Sequence, residues 1–185
     1  AVLERADYVE AASANAAFLL RELRDGDRLL RTYKDGAATL NGYLEDYSFT
    51  IEGLLALHET TFDGEWLQQA VSLGREMVEL FWDAPSGQFY DTGTDHEELL
   101  LRPRDVQDNA VPSGSSMATT TLLKLAIVTG DGDLERRAVE ALRGVRELME
   151  RFPTGAGQWL CALDFYLSSP KEIAIVGEPG GADTD

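Results

Sequence analysis

The chain is poor in cysteine, histidine and basic residues, and it has no long apolar run. Its single cysteine, Cys161, cannot close an internal disulfide, which points to a cytoplasmic setting. Cys161 sits in the apolar stretch Trp159–Leu163 and reads as a buried, inert thiol. The only histidines are His58 and His96, too few for a zinc site of three or four clustered ligands, and neither metal nor cofactor is expected. Lys and Arg number 16 against 33 Asp and Glu, a net charge of −17. That balance excludes nucleic acid as a partner, because phosphate binding needs clustered cations. No stretch approaches the roughly 20 apolar residues of a membrane-spanning helix, so no membrane is expected as a partner. No signal peptide is visible, and the start at Ala1 is expected of a processed product or an excerpt.

What the chain does have is an internal repeat. Gly53–Ala70 returns 68 residues later as Thr121–Ala138. In both stretches an apolar helix ends, an Asp-Gly turn follows and an amphipathic helix begins. Such hairpins cannot bury their faces alone, so they stack into a solenoid or a closed ring. Asp131-Gly-Asp133 superficially suggests calcium, but the twelve-residue loop with its closing Glu is missing, and Asp63-Gly64 fills the same place in the other repeat.

Hydrophobic spacing predicts helices over about 7–23, 44–61, 65–81, 115–129, 133–150 and 158–168. The helices at 44–61, 115–129 and 158–168 are apolar on more than one side, as expected of an inner layer. The others carry narrower stripes. Arg28–Tyr33 and Gln88–Thr92 read as short extended pieces, each following an outer helix and a turn. Glu172–Val176 reads as a β-strand followed by a loop-like tail. The expected fold is all-α, three hairpins over 1–170, with a strand and tail over 171–185.

Several blocks occur in a telling order: Leu44–Leu57, Phe81-Trp-Asp83 with Phe89–Thr92, Leu99–Arg104, Asp108–Ser115 and Glu172–Gly177. Together they resemble the C-terminal region of the thioredoxin-domain-containing, spermatogenesis-associated protein family. The resemblance implies an N-terminal thioredoxin-like domain followed by an (α/α)6 toroid similar to N-acylglucosamine epimerases and six-hairpin glycosidases. This chain would hold about three of six hairpins, with the remaining hairpins and the thioredoxin-like domain as partners in a longer protein. An incomplete ring also predicts pairing of two copies as a homodimer.

In such a toroid, ligands bind where loops lead into inner helices, whose N-termini offer free N–H groups and positive dipole ends. Glu45 and Asp46 are the first acidic candidates, either as ligands or acid catalysts for a sugar, or as favourable charge at a helix N-terminus. Adjacent helical residues point about 100° apart, so one is expected to face the funnel and the other a neighbouring hairpin. Asp108, Asn109, Ser113 and Ser115 form a second cluster. Ser113 also fits a helix N-cap, whereas Asp108 lies too far upstream to be a simple cap. Asp108 opposite Glu45 or Asp46 would give the two-carboxylate arrangement of a glycosidase. Arg102 and Arg104 fit either a carboxylate clamp on Asp105 or Asp108, or an anionic sugar group. Tyr47 and Trp159 fit sugar stacking or hairpin packing.

His58 lies 12 residues beyond Asp46 on one helix, about 18 Å away. His96 sits in an acidic loop and reads as solvated. The paired-histidine chemistry of the related epimerases is therefore not expected. The sequence leaves three readings: carbohydrate binding or processing at the funnel mouth, a non-catalytic scaffold or interaction module supporting the thioredoxin-like domain, or a degenerate enzyme fold kept for interaction.

Overall fold

The computed structural model describes residues 5–26, 28–97 and 100–168. It is mainly α-helical. The proposed strand at Glu172–Val176 lies outside the described residues.

Helix α1 (Ala6–Glu22) leads into the short strand β1 (Arg24–Asp25), followed by β2 (Arg28–Lys34) and β3 (Ala37–Asn41). These three form an antiparallel sheet in the order β1-β2-β3. Then come α2 (Leu44–Thr61) and α3 (Gly64–Phe81), and a two-stranded ribbon of β4 (Trp82–Asp83) and β5 (Gln88–Phe89). A long connection leads to α4 (Gly114–Thr129), α5 (Gly132–Gly144), α6 (Arg146–Arg151), a 3-10 turn at Pro153–Gly155 and α7 (Gly157–Leu167).

The helices form two layers. Inner α2 and α4 pack side by side, and α7 packs on the other side of α4. Outer α3 covers α2, and outer α5 covers α4. In α4, all positions from Ser115 to Leu123 are buried, so its small and β-branched residues meet neighbours on every side. The core of α2 is Leu44, Tyr47, Ile51, Leu54, Leu55 and Leu57. Each such aliphatic side chain contributes roughly 1.5–3 kcal/mol by leaving water.

The repeat is visible atom by atom in its turns. Asp63 caps α3 by accepting the Glu65 N–H at 2.9 Å, and Asp131 caps α5 by accepting the Asp133 N–H at 3.0 Å. Thr61 and Thr129 each donate their hydroxyl to a carbonyl four residues back and accept the capping Asp N–H. Phe62 and Gly130 both adopt the left-handed conformation, with φ of 56° and 69°. Asp131-Gly-Asp133 thus forms the capped start of α5, as Asp63-Gly-Glu65 forms that of α3.

Two expectations are corrected and one is extended. The piece at Arg28–Tyr33 is extended, but it pairs with β3, a strand whose sequence Ala-Ala-Thr-Leu-Asn shows no alternation. The helix expected over 133–150 is broken at Val145. There Gln88 donates its side-chain amide to the Ala141 carbonyl at 3.0 Å and lies against Gly144, where any Cβ would collide with it. Cys161 is exposed rather than buried: Trp159 and Ala162 are the buried residues of α7, with Leu163 and Phe165 partly buried against the core.

Candidate functional site

The N-termini of α2 and α4 meet. A Cβ added at Gly114 would stand 3.1 Å from the Glu45 nitrogen, tighter than a side chain ordinarily sits against backbone. Between these two helix starts and the loop before α4 lies a cleft of about 400 Å³. Its functional groups come from Tyr43, Glu45, Asp91, Asp105, Gln107 and Asn109.

Each wall is fixed by backbone pairing. Leu44 N–H donates to the Asp91 carbonyl at 3.0 Å, and Asp91 N–H donates to the Pro103 carbonyl at 2.9 Å. The Asp91 carboxylate accepts the Asp105 N–H at 2.9 Å. Burial raises the Asp91 pKa above the ordinary Asp value, and the nearby charges of Asp105 and Glu45 raise it further against that hydrogen bond. The cleft thus holds a carboxyl with increased proton affinity beside a half-exposed Glu45.

Glu45 and Asp46 do not diverge as expected; both engage Arg31 from β2. Its Nη2 meets Glu45 at 2.8 Å and its Nη1 meets Asp46 at 2.9 Å. The planar guanidinium is wide enough to span two adjacent helical side chains. Asp46 also accepts the Tyr43 N–H at 2.8 Å, closing a capping box at the start of α2. Burial nevertheless leaves the Asp46 pKa raised, against the Tyr43 N–H and Arg31.

Asp108 is buried, and its carboxylate is fully engaged. Oδ1 accepts Ser113 N–H at 2.9 Å and the Ser116 hydroxyl at 2.6 Å. Oδ2 accepts Gln158 N–H at 2.8 Å, with Trp159 N–H at 3.4 Å. Asp108 therefore clamps the start of α4 to the start of α7, a cap made across tertiary structure rather than along the chain. Ser113 caps α4 locally, accepting the Ser116 N–H at 3.1 Å. Ser115 is buried and outside the cleft lining.

The arginines do not hold Asp105 or Asp108. Arg102 donates to the Thr92 carbonyl, Arg104 pairs with Asp83 at 2.5 Å, and both guanidinium groups lie over the Tyr90 ring, at 4.1 and 3.8 Å from its centroid. They rivet the loop before α4 to the β4–β5 ribbon. Tyr47 and Trp159 are fully buried and present no face to a ligand. The Tyr47 hydroxyl accepts Leu29 N–H at 2.8 Å and donates to Glu76 at 2.7 Å; burial raises its pKa. Trp159 donates its indole N–H to the Val106 carbonyl at 2.8 Å.

His96 is largely buried rather than solvated, accepting Gly93 N–H at 3.0 Å and packing on Tyr43. His58 sits at the far end of α2, as its spacing predicts, bonded to the Asp63 carbonyl. Of the sequence candidates, Glu45, Asn109 and Ser113 reach the cleft. Asp91 was not singled out by sequence and Asp105 was named there only as a partner for Arg102 or Arg104; both lie in loops, and only the fold brings them together.

The class defined by these features is a stack of helical hairpins with an acidic cleft at the inner-helix N-termini. No protein-family model matches the chain. It is similar to spermatogenesis-associated protein 20 of Rattus norvegicus, 35% identical over 99% of this chain, and to the protein of that name in Homo sapiens, 33% identical over 100% of this chain. An uncharacterized protein of Caenorhabditis elegans is 27% identical over 95% of it. The chain spans about a quarter of the length of these relatives, 25% in each case. Its homologues thus include proteins named spermatogenesis-associated protein 20, and it matches one segment of them. No helix among the described residues is long and apolar enough to cross a membrane.

Proposed function

We propose that the chain forms part of an α/α toroid and binds a carbohydrate in the cleft between the starts of α2 and α4. The observation that carries this reading is the grouping of Glu45, Asp91 and Asp105 with the amides of Gln107 and Asn109 around one accessible space. Carboxylates accept hydrogen bonds from sugar hydroxyls, and amides both donate and accept. The raised Asp91 pKa favours a proton donor beside Glu45, the polarity of an acid–base pair. Asp46 and Asp108 position the walls rather than react, since both are committed to helix starts. A thioredoxin-like domain elsewhere in the longer protein belongs to the same proposal.

The test is thermal melting with a panel of neutral sugars, comparing the wild type with Asp91→Asn and Glu45→Gln. A sugar-dependent rise in Tm that both substitutions abolish, while each variant stays folded, supports the site. Absence of any sugar response in the wild type, within the longest version of the protein, refutes it. The scaffold reading has its own support in Asp108, Arg102 and Arg104, whose polar groups hold the fold together.

A further inference from the structure

Helix α5 ends at Gly144 and α6 starts at Arg146, so the helical run breaks at Val145. Between α5 and α6 on one side and α7 on the other lies a groove of about 420 Å³. Val139, Leu142, Met149, Leu160, Leu163 and Tyr166 give it an apolar lining. Leu160 is 37% exposed and Tyr166 39%, so that lining is reached from solvent. A contiguous apolar surface of this kind marks an interaction site rather than a solvated face. The volume falls within the range of about 300–1,000 Å³ found for small-molecule sites.

The charges at the groove decide what kind of ligand fits. They are Arg143, Arg146 and Glu150. Arg146 and Glu150 pair with each other at 2.7 Å. Arg143 is exposed, and the acids nearest to it along the chain are committed elsewhere. Glu140 meets Arg136 at 3.3 Å, and Glu147 meets Arg151 at 2.9 Å. Among the described residues the groove therefore presents one uncompensated positive charge, in a chain whose net charge is −17. A wholly apolar ligand leaves that guanidinium unused, and a cationic one is repelled by it. An apolar chain ending in a carboxylate satisfies both parts. Its chain covers the apolar lining, and the planar guanidinium can hold a carboxylate with two parallel hydrogen bonds.

We propose that this groove binds a single-chain aliphatic carboxylate, a fatty acid anion, with Arg143 as the anchor of its head group. The groove shares no lining residue with the cleft at the starts of α2 and α4, so it stands independently of the reading given to that cleft.

The test is titration calorimetry near neutral pH with octanoate, decanoate, 1-decanol and decyltrimethylammonium, each below its aggregation threshold. Both the 185-residue chain and the longest version of the protein are titrated. Decanoate should bind at least roughly five-fold more tightly than octanoate, because two further methylenes leave water. It should also bind at least roughly three-fold more tightly than 1-decanol, with decyltrimethylammonium weakest. Arg143→Gln should remove the preference for decanoate over 1-decanol while leaving 1-decanol binding and the ligand-free Tm unchanged. Arg151→Gln removes the same charge outside the groove lining and should keep the preference. Absence of decanoate binding, equal affinity for the three ten-carbon probes, or equal effects of the two substitutions overturns the proposal. Binding to the 185-residue chain but not to the longest version also overturns it, since the occupant is then protein.

Discussion

Asp108 holds Gln158 across 50 residues of sequence: one carboxylate oxygen accepts the Gln158 N–H at 2.8 Å while the other binds the start of α4. Two inner helices are thereby aligned at one end by a single side chain. Asp108→Ala leaves the buried Ser113 and Gln158 donors unpaired and should cost about 3 kcal/mol or more in urea unfolding. Asp108→Asn should recover only part of that loss, because an amide cannot accept on both sides.

Tyr47→Phe should also destabilise, by about 1–3 kcal/mol, because the buried Leu29 N–H and Glu76 lose their shared hydroxyl. Amide exchange at Leu29 should accelerate more than at Leu54, since the loss is local to β2.

Phe62→Gly should stabilise the protein. Phe62 is 85% exposed and holds φ 56° at the place where the second repeat has Gly130. A non-glycine residue in that region costs about 1–2 kcal/mol, partly offset by the greater freedom of glycine when unfolded. A net gain of about 0.5 kcal/mol is expected, and a lower urea midpoint would contradict the account.

Asp91 sets a pH dependence. Its pKa is raised in the folded state, so the native protein binds that proton more tightly than the unfolded chain. Its unfavourable contribution is fully present above the raised native value. It is relieved as pH falls from there toward the unfolded value of about 4. Asp91→Asn, which keeps an oxygen for the Asp105 N–H, should be more stable than wild type at pH 7. The advantage should shrink on acidification, as measured by urea midpoints at several pH values.

Gly114→Ala should cost about 1–3 kcal/mol, since the new methyl meets the backbone of α2 rather than a flexible side chain. Gly74→Ala is the contrast: its added methyl meets the side-chain tip of Leu125 rather than backbone.

Inner and outer helices were legible because their apolar spacing is local. Leu44–Thr61 is bounded by its periodicity, and the structure gives α2 the same ends. β3 was hidden because the apolar residues of Ala37–Asn41, namely Ala37, Ala38 and Leu40, do not alternate, and Leu40 is exposed at φ 65°. The break at Val145 was hidden because Gly144 fits a helical pattern and only the Gln88 side chain, 56 residues away, reveals its role. The site divides the same way. Ser113 was readable as a cap from its own neighbours, whereas the convergence of Asp91, Asp105 and Glu45 depends on three separate segments. The roles of Arg102 and Arg104 were equally unreadable, because Tyr90 and Asp83 lie on an earlier hairpin.

Gln88 belongs to the ribbon that follows α3, yet it is wedged into the joint of the next hairpin's outer helix. The two copies of the repeat are therefore not interchangeable parts. A duplication, deletion or circular rearrangement that cut between them would separate this key from its lock, even though the turns at Asp63 and Asp131 match. The contact ties the hairpins to one order, and a chimera that exchanges them should need Gln88 and Gly144 to travel together.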